Sequence, residues 1–293
     1  MRREKSIAFL TLGILLSFAL IYVVPLAIAG SSDTYNVTAG ITGSNNPVID
    51  SVGSISAQDV TPGSTTTVSF TFTVSDNDGY HNLNNSTATA VFNRTGETSR
   101  SNTSCASTNV DWNTNNYTCS VGMQFYDATG TWSVNVSIRD DDSNFVQNTT
   151  TTFTYNSGLH MNMTPDSISF GTTLNAGQTN VSATDDPIVV QNIGNYNITQ
   201  VNITAYDLVG VTYPSYTIGA SNFEVSATDT ADSGSALSNA IAVTASGVTS
   251  VRGASSTDSL YFFLDVPSTN IQVQTYNTVG GTDWTLGVYG TSS

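Results

Sequence analysis

The side chains able to do chemistry in this sequence are two histidines (His81 and His160), two cysteines (Cys105 and Cys119) and a surplus of carboxylates. The carboxylates gather in two short runs. Asp76-Asn77-Asp78-Gly79 alternates oxygen ligands and ends on a residue suited to a sharp turn, and Asp140-Asp141-Asp142-Ser143-Asn144 is the second. Oxygen-rich runs suit a hard cation such as Ca²⁺, although the downstream bidentate Glu of an EF-hand loop is missing. Two readings compete. One is a Ca²⁺ site shared by Asp76, Asp78, Asp140, Asp141 and Asp142. The other is a pair of solvated turns, which Asp and Asn favour for their own backbone reasons. No other cofactor is expected.

Catalysis finds little support. The chain has no H-E-x-x-H, no G-x-S-x-G, no P-loop and no G-x-G-x-x-G opening a helix. Both histidines lie in loop-like surroundings, in DNDGYHNLNNST and NSGLHMNMTPDS, and read as ordinary solvated or hydrogen-bonded side chains. A glycosidase would need two facing carboxylates at a defined separation. Only Glu97 and Glu224 remain beyond residue 29, and neither has an evident partner among the many Asp. The expectation is a protein without enzymatic activity.

Charge narrows the partners. Basic residues number 7 against 22 acidic, a formal net charge of −15. Removing residues 1–29 leaves 4 basic and 21 acidic residues, net −17, with no lysine. Such a surface cannot neutralise a row of phosphates, which excludes nucleic acid. It equally disfavours docking on an anionic membrane.

Residues 1–29 begin with a basic stretch and continue through 24 uncharged residues, Ser6–Ala29, broken by Pro25 and ending in Ala27-Ile28-Ala29. This is the pattern of a secretory signal peptide. The run is also long enough to span a bilayer, so an uncleaved N-terminal anchor helix is the rival, with residues 6–29 as the membrane contact. Either way the rest lies outside the cytoplasm. Glycosylation sequons begin at Asn36, Asn84, Asn85, Asn93, Asn102, Asn116, Asn135, Asn148, Asn162, Asn180, Asn197 and Asn202. All precede residue 203 although Ser and Thr remain plentiful afterwards, and Asn135 and Asn202 sit on the polar phase of alternating strands. In an exported chain the two cysteines are expected to pair, closing a 13-residue loop from Ala106 to Thr118.

The elements that must carry these residues are strands. Val68, Phe70, Phe72 and Val74 alternate with Thr and Ser over Thr67–Ser75, and Trp132, Val134, Val136 and Ile138 do the same over Thr131–Arg139. A period of two marks half-buried strands of antiparallel sheets. Further strands are predicted at Val48–Ser56, Thr87–Phe92, Tyr117–Gln124 and Thr149–Tyr155. Pro62-Gly63, Asp78-Gly79 and Thr129-Gly130 punctuate them. After a break at Asn156-Ser157-Gly158 come Ser167–Phe170, Ile188–Gln191, Ile198–Tyr206, Tyr213–Ile218, Phe223–Val225, Ala240–Ala245, Leu260–Val266, Ile271–Tyr276 and Trp284–Tyr289. Leu260, Phe262, Leu264 and Val266 form one apolar row, with Tyr261 and Phe263 on the opposite phase. Beyond residue 30 no helical period is evident. The expected fold is all-β, two tandem immunoglobulin-like β-sandwich domains behind the hydrophobic leader. The divisions are 1–29 leader, 30–45 extended arm, 46–156 first sandwich and 157–293 second sandwich.

The stretch Tyr126-Asp127-Ala128-Thr129-Gly130-Thr131-Trp132-Ser133-Val134-Asn135-Val136-Ser137-Ile138-Arg139-Asp140 resembles the penultimate strand of immunoglobulin-like and PKD-type domains. In such a topology the second and penultimate strands leave the same end of the sandwich, which would bring the two acidic runs together. The stretch Val190-Gln191-Asn192-Ile193-Gly194-Asn195-Tyr196-Asn197-Ile198-Thr199 resembles the turn of CARDB- and NEW3-like adhesion modules. The whole is similar to archaeal envelope glycoproteins. These resemblances imply architecture rather than catalysis.

Two function classes follow. One is a secreted, glycosylated structural subunit of a cell-surface layer or filament, self-assembling or joining other envelope proteins. The alternative is an adhesin, a surface module gripping glycans or a protein partner; an exposed aromatic row would favour it, and Tyr261 and Phe263 either supply one or lie beneath another sheet. The arm bears on the first. Tyr35, Val37, Ala39 and Ile41 alternate with polar residues over 34–42 without a hairpin partner nearby. A lone strand needs a sheet edge. That edge is either its own first sandwich or a neighbouring molecule, by strand addition.

Overall fold

The computed structural model describes residues 44–278 and 282–291. The leader, the arm strand at 34–42 and the sequon at Asn36 lie outside the described residues. Everything below belongs to one compact unit that begins at Ser44.

Eight strands make the first half: β1 (Val48–Val52), β2 (Thr65–Ser75), β3 (Leu83–Asn93), β4 (Arg100–Asn102), β5 (Ala106–Asn109), β6 (Thr114–Gln124), β7 (Gly130–Asp140) and β8 (Phe145–Tyr155). They form two antiparallel four-stranded sheets, β1-β2-β6-β5 and β4-β3-β7-β8. The alternating rows read from the sequence meet between them: Val68, Phe70, Phe72 and Val74 from one sheet, Trp132, Val134, Val136 and Ile138 from the other. Burying each large apolar side chain stabilises the fold by about 1.5–3 kcal/mol. The polar atoms of the aromatic residues are also served. Trp132 Nε1 donates to Ala128 O at 2.9 Å, and the buried Tyr117 hydroxyl donates to Asn85 Oδ1 at 2.6 Å.

Twelve strands make the second half: β9 (Met161–Thr164), β10 (Val181–Ser182), β11 (Ile188–Asn192), β12 (Asn197–Thr204), β13 (Leu208–Gly210), β14 (Thr217–Ile218), β15 (Phe223–Ser226), β16 (Ser235–Ala236), β17 (Ala242–Thr244), β18 (Thr257–Leu264), β19 (Tyr276–Asn277) and β20 (Thr285–Thr291). One sheet runs β16-β15-β18-β11-β9, with β10 also pairing β18. Two three-stranded sheets, β17-β12-β20 and β14-β13-β19, complete it. A second apolar core gathers Ile188, Val201, Ile203, Phe223, Leu260 and Phe262. The named strands of each half pair only within that half. Among the described residues the helical elements are two short 3₁₀ turns, Tyr80–Asn82 and Ala220–Asn222, and no helix is long and apolar enough to cross a membrane.

The strand expectations fail where chain breakers intervene. Ser167–Phe170 is irregular, although Ile168 and Phe170 still pack on the second core. Of Tyr213–Ile218 only Thr217–Ile218 pairs, because Pro214 near its start lacks a ladder donor. Of Ile271–Tyr276 only Tyr276 is in a strand, and Asn270 just before it adopts φ 58°. Of the two readings of Tyr261 and Phe263, the covered one holds: Phe263 is buried and Tyr261 half-buried.

Candidate functional site

Both acidic runs lie at one end of the first sheet pair. β2 exits into Asp76, β7 ends on Asp140, and Asp141 N donates to Asn82 O at 2.8 Å, tying the loops together. The five carboxylates nevertheless diverge. Asp76 and Asp140 turn inward and are buried. Asp76 Oδ1 accepts from Asp78 N at 2.8 Å, and Asp140 accepts from Asn144 N and Asn144 Nδ2, both at 2.7 Å. Burial raises the Asp76 carboxyl above its ordinary range, with the Asp78 and Asp140 charges adding to it. Asp78 is exposed and takes two donors from Asn45, one from the backbone at 2.5 Å and one from the side chain at 2.8 Å, which lower it. Asp141 and Asp142 point to solvent. Among the described residues no three Asp, Glu, His or Cys side chains gather into a set that could hold a metal ion. The expected convergence of loops is present and the convergence of ligands is not, because backbone and amide donors take up the inward oxygens.

The same end receives the N-terminal chain. Besides Asn45, the Ser44 hydroxyl accepts from Asn144 Nδ2 at 2.7 Å. The described chain therefore begins at the acidic end of the first sheet pair.

Cys105 and Cys119 are disulfide-bonded and buried. The bond fastens the segment leading into the edge strand β5 to the central strand β6. Of the eleven described sequon asparagines, none is buried. Asn85, Asn116, Asn162 and Asn180 are exposed, while Asn84, Asn93, Asn102, Asn135, Asn148, Asn197 and Asn202 are partly exposed. Asn148 Oδ1 accepts both the amide and the hydroxyl of Thr150, the third residue of its sequon, at 3.0 and 2.9 Å. At Asn135, within β7, the side-chain oxygen is buried without a partner.

The junction between the halves is built at the opposite end of the first sheet pair. Ile193 packs on the first core from the second half, and Gly63 N donates to Ile193 O at 2.9 Å. Asn195 grips the connecting segment with three bonds: Gly158 N donates to its Oδ1 at 2.7 Å, its Nδ2 donates to Asn156 O at 2.9 Å, and its N donates to Gly158 O at 3.0 Å. Between them Gly194 lies so close that a Cβ there would stand 2.2 Å from Gly158 O. Arg252 completes the clamp. Its guanidinium makes a 2.6 Å ion pair with Glu97 and donates to Tyr126 O at 2.8 Å. The Asn-x-Gly-Asn turn singled out in the sequence is thus a fastening between the two cores. His160 lies here too, its carbonyl accepting from Ile193 N at 3.0 Å, and exposed His81 stacks on Tyr80.

A cleft of about 530 Å³ opens in the second half, lined by Met163, Phe170, Phe223, Phe262, Trp284 and Leu286 among others. One side of the second core is closed where β16 and β17 meet. On the other side β9 and β20 are the outer strands of their sheets, and the cleft lies between Met163 of one and Leu286 of the other. Trp284 Nε1 donates to Tyr206 O at 2.7 Å, leaving the cleft wall apolar at that ring. Sequence reasoning marked Trp284, Leu286 and Val288 as a core row but not the cleft, which depends on the sheet order. The chain matches no protein-family model, and no curated protein matches its sequence.

Proposed function

We propose that this chain is an exported, glycosylated, non-enzymatic structural subunit of a cell-surface layer or filament. The observation that carries the reading is the surface placement of all eleven described sequon asparagines on a disulfide-bonded β architecture. A sugar at any of them starts from a residue that water already reaches. The junction supports the same reading, since Asn195, Gly194 and Arg252 fasten the two cores to each other, as suits a structural envelope module. The sheet orders β1-β2-β6-β5 and β4-β3-β7-β8 are those of an immunoglobulin-like sandwich, which favours the two-domain division at 156/157. Burial of Phe263 takes away one feature that would have favoured the adhesin alternative.

Electron microscopy of native surface material, with intact-mass analysis before and after glycan removal, tests the proposal. Ordered assemblies containing a protein several glycans heavier than its sequence support it. A sugar-free monomer would overturn it.

A further inference from the structure

We infer that the open side of the second core is a socket for residues 34–42 of another copy, so that subunits join head to tail by strand addition. This rests on the structural-subunit reading above and names its connector. Among the described strands β20 pairs only with β12, leaving one ladder edge unfilled. Leu286 and Val288 pack on the core from β20 yet are only partly buried, as is Met163 of β9. A strand laid along β20 would fill that edge and send every second side chain toward the cleft. The arm offers such a row: Tyr35, Val37, Ala39 and Ile41 alternate with Thr34, Asn36, Thr38 and Gly40. Its polar phase carries the Asn36 sequon outward, away from the cleft.

Chain length decides between the molecule's own cleft and a neighbour's. Ile41 is three residues from Ser44, so its Cα lies within about 11 Å of Ser44. Ser44 is fixed at the acidic end of the first sheet pair by Asn144. The contacts to the second half, at Gly63, Glu97 and Tyr126, lie at the other end of strands that are 11 residues long. Such strands span roughly 36 Å. The cleft lies further still, beyond the junction, because Leu286 pairs with Ile203 while the junction-side residue Asn197 pairs with Thr291. The arm therefore cannot fill its own cleft. A second copy can supply it, and a contact joining one end of a subunit to a different surface of the next propagates into a filament.

Cysteine pairing tests this in the full secreted chain. Ile41→Cys combined with Leu286→Cys, and independently Val37→Cys with Met163→Cys, should give a ladder of disulfide-linked dimers, trimers and higher species on non-reducing gels. Thr38→Cys with Leu286→Cys, on the polar phase, should give at least tenfold less. Val37→Asp should abolish the assemblies while thermal unfolding stays unchanged. Filaments without a ladder from either pair would overturn the socket and leave the structural reading standing. A bond formed within one monomer would also overturn it. Protection of Leu286→Cys from thiol labelling by a soluble glycan, with no ladder from either pair, would show that the cleft is a sugar site and overturn the strand. Absence of any assembly, with no ladder, would overturn both readings.

Discussion

Asp186 is the carboxylate this fold serves least well. Its Oδ2 accepts from Phe262 N at 2.9 Å, while Oδ1 is buried with no partner. Burial, chiefly, and the charges of Asp229 and Asp185 raise it to about 6 from an ordinary 3.8. The sign follows from proton binding. Between about pH 4 and 6 the folded state holds a proton that the unfolded state has released, so stability falls as pH rises through this window. With allowance for solvent screening, the loss between pH 4 and 7 is roughly 1–2 kcal/mol. Asp186→Asn keeps the acceptor for Phe262 N and removes the charge. Its melting temperature should exceed the parent's at pH 7 and match it at pH 4, measured by scanning calorimetry. Parallel pH profiles for the two proteins would refute this. Nothing in the local sequence marks Asp186 apart from its neighbour Asp185, because its environment is made by β18, some seventy residues away. The Cys105–Cys119 bond, by contrast, is legible from the even cysteine count together with the expectation of export.

At the scale of elements, legibility followed periodicity. The strands β2 and β7 were read within two residues because one face is core and the other solvent along their whole length. The short strands β10, β14, β16 and β19 carry two residues each, too few to show a period. The junction turn was visible as a motif but not as a fastening, since Gly158 and Arg252 come to it from elsewhere in the chain. Its tightest point gives a prediction. Gly194→Ala would drive a Cβ into Gly158 O and break the bonds made by Asn195, costing about 1–3 kcal/mol as an overpacked site does. Gly287→Ala in β20 meets nothing within 4 Å and should be neutral to within about 0.5 kcal/mol. Urea unfolding of both variants checks the contrast, and equal midpoints would refute the clamp.

Over the whole molecule the sequons are distributed unevenly. The twelve sequons end at Asn202, so β18, Trp284 and β20 carry none, while β9 at the other edge of the open side carries Asn162. Under the proposed reading a glycan excludes neighbours wherever it stands, which leaves the β20 edge as the side of the cleft that a second subunit can reach. Tyr289 lies on the solvent face of β20 and is 56% exposed. Tyr289→Asn creates the sequon Asn-Gly-Thr with the following Gly290 and Thr291 in place, without touching the cleft. Its sugar would stand about 4.8 Å, one strand spacing, from a strand added to the β20 edge. Tyr289→Gln removes the ring without creating a sequon. In a glycosylating host, both variants should unfold at the parent's temperature. Tyr289→Gln should still assemble, and glycosylated Tyr289→Asn should remain monomeric by light scattering until the sugar is enzymatically removed. Assembly of the glycosylated variant at the parent's level would show that subunits meet elsewhere.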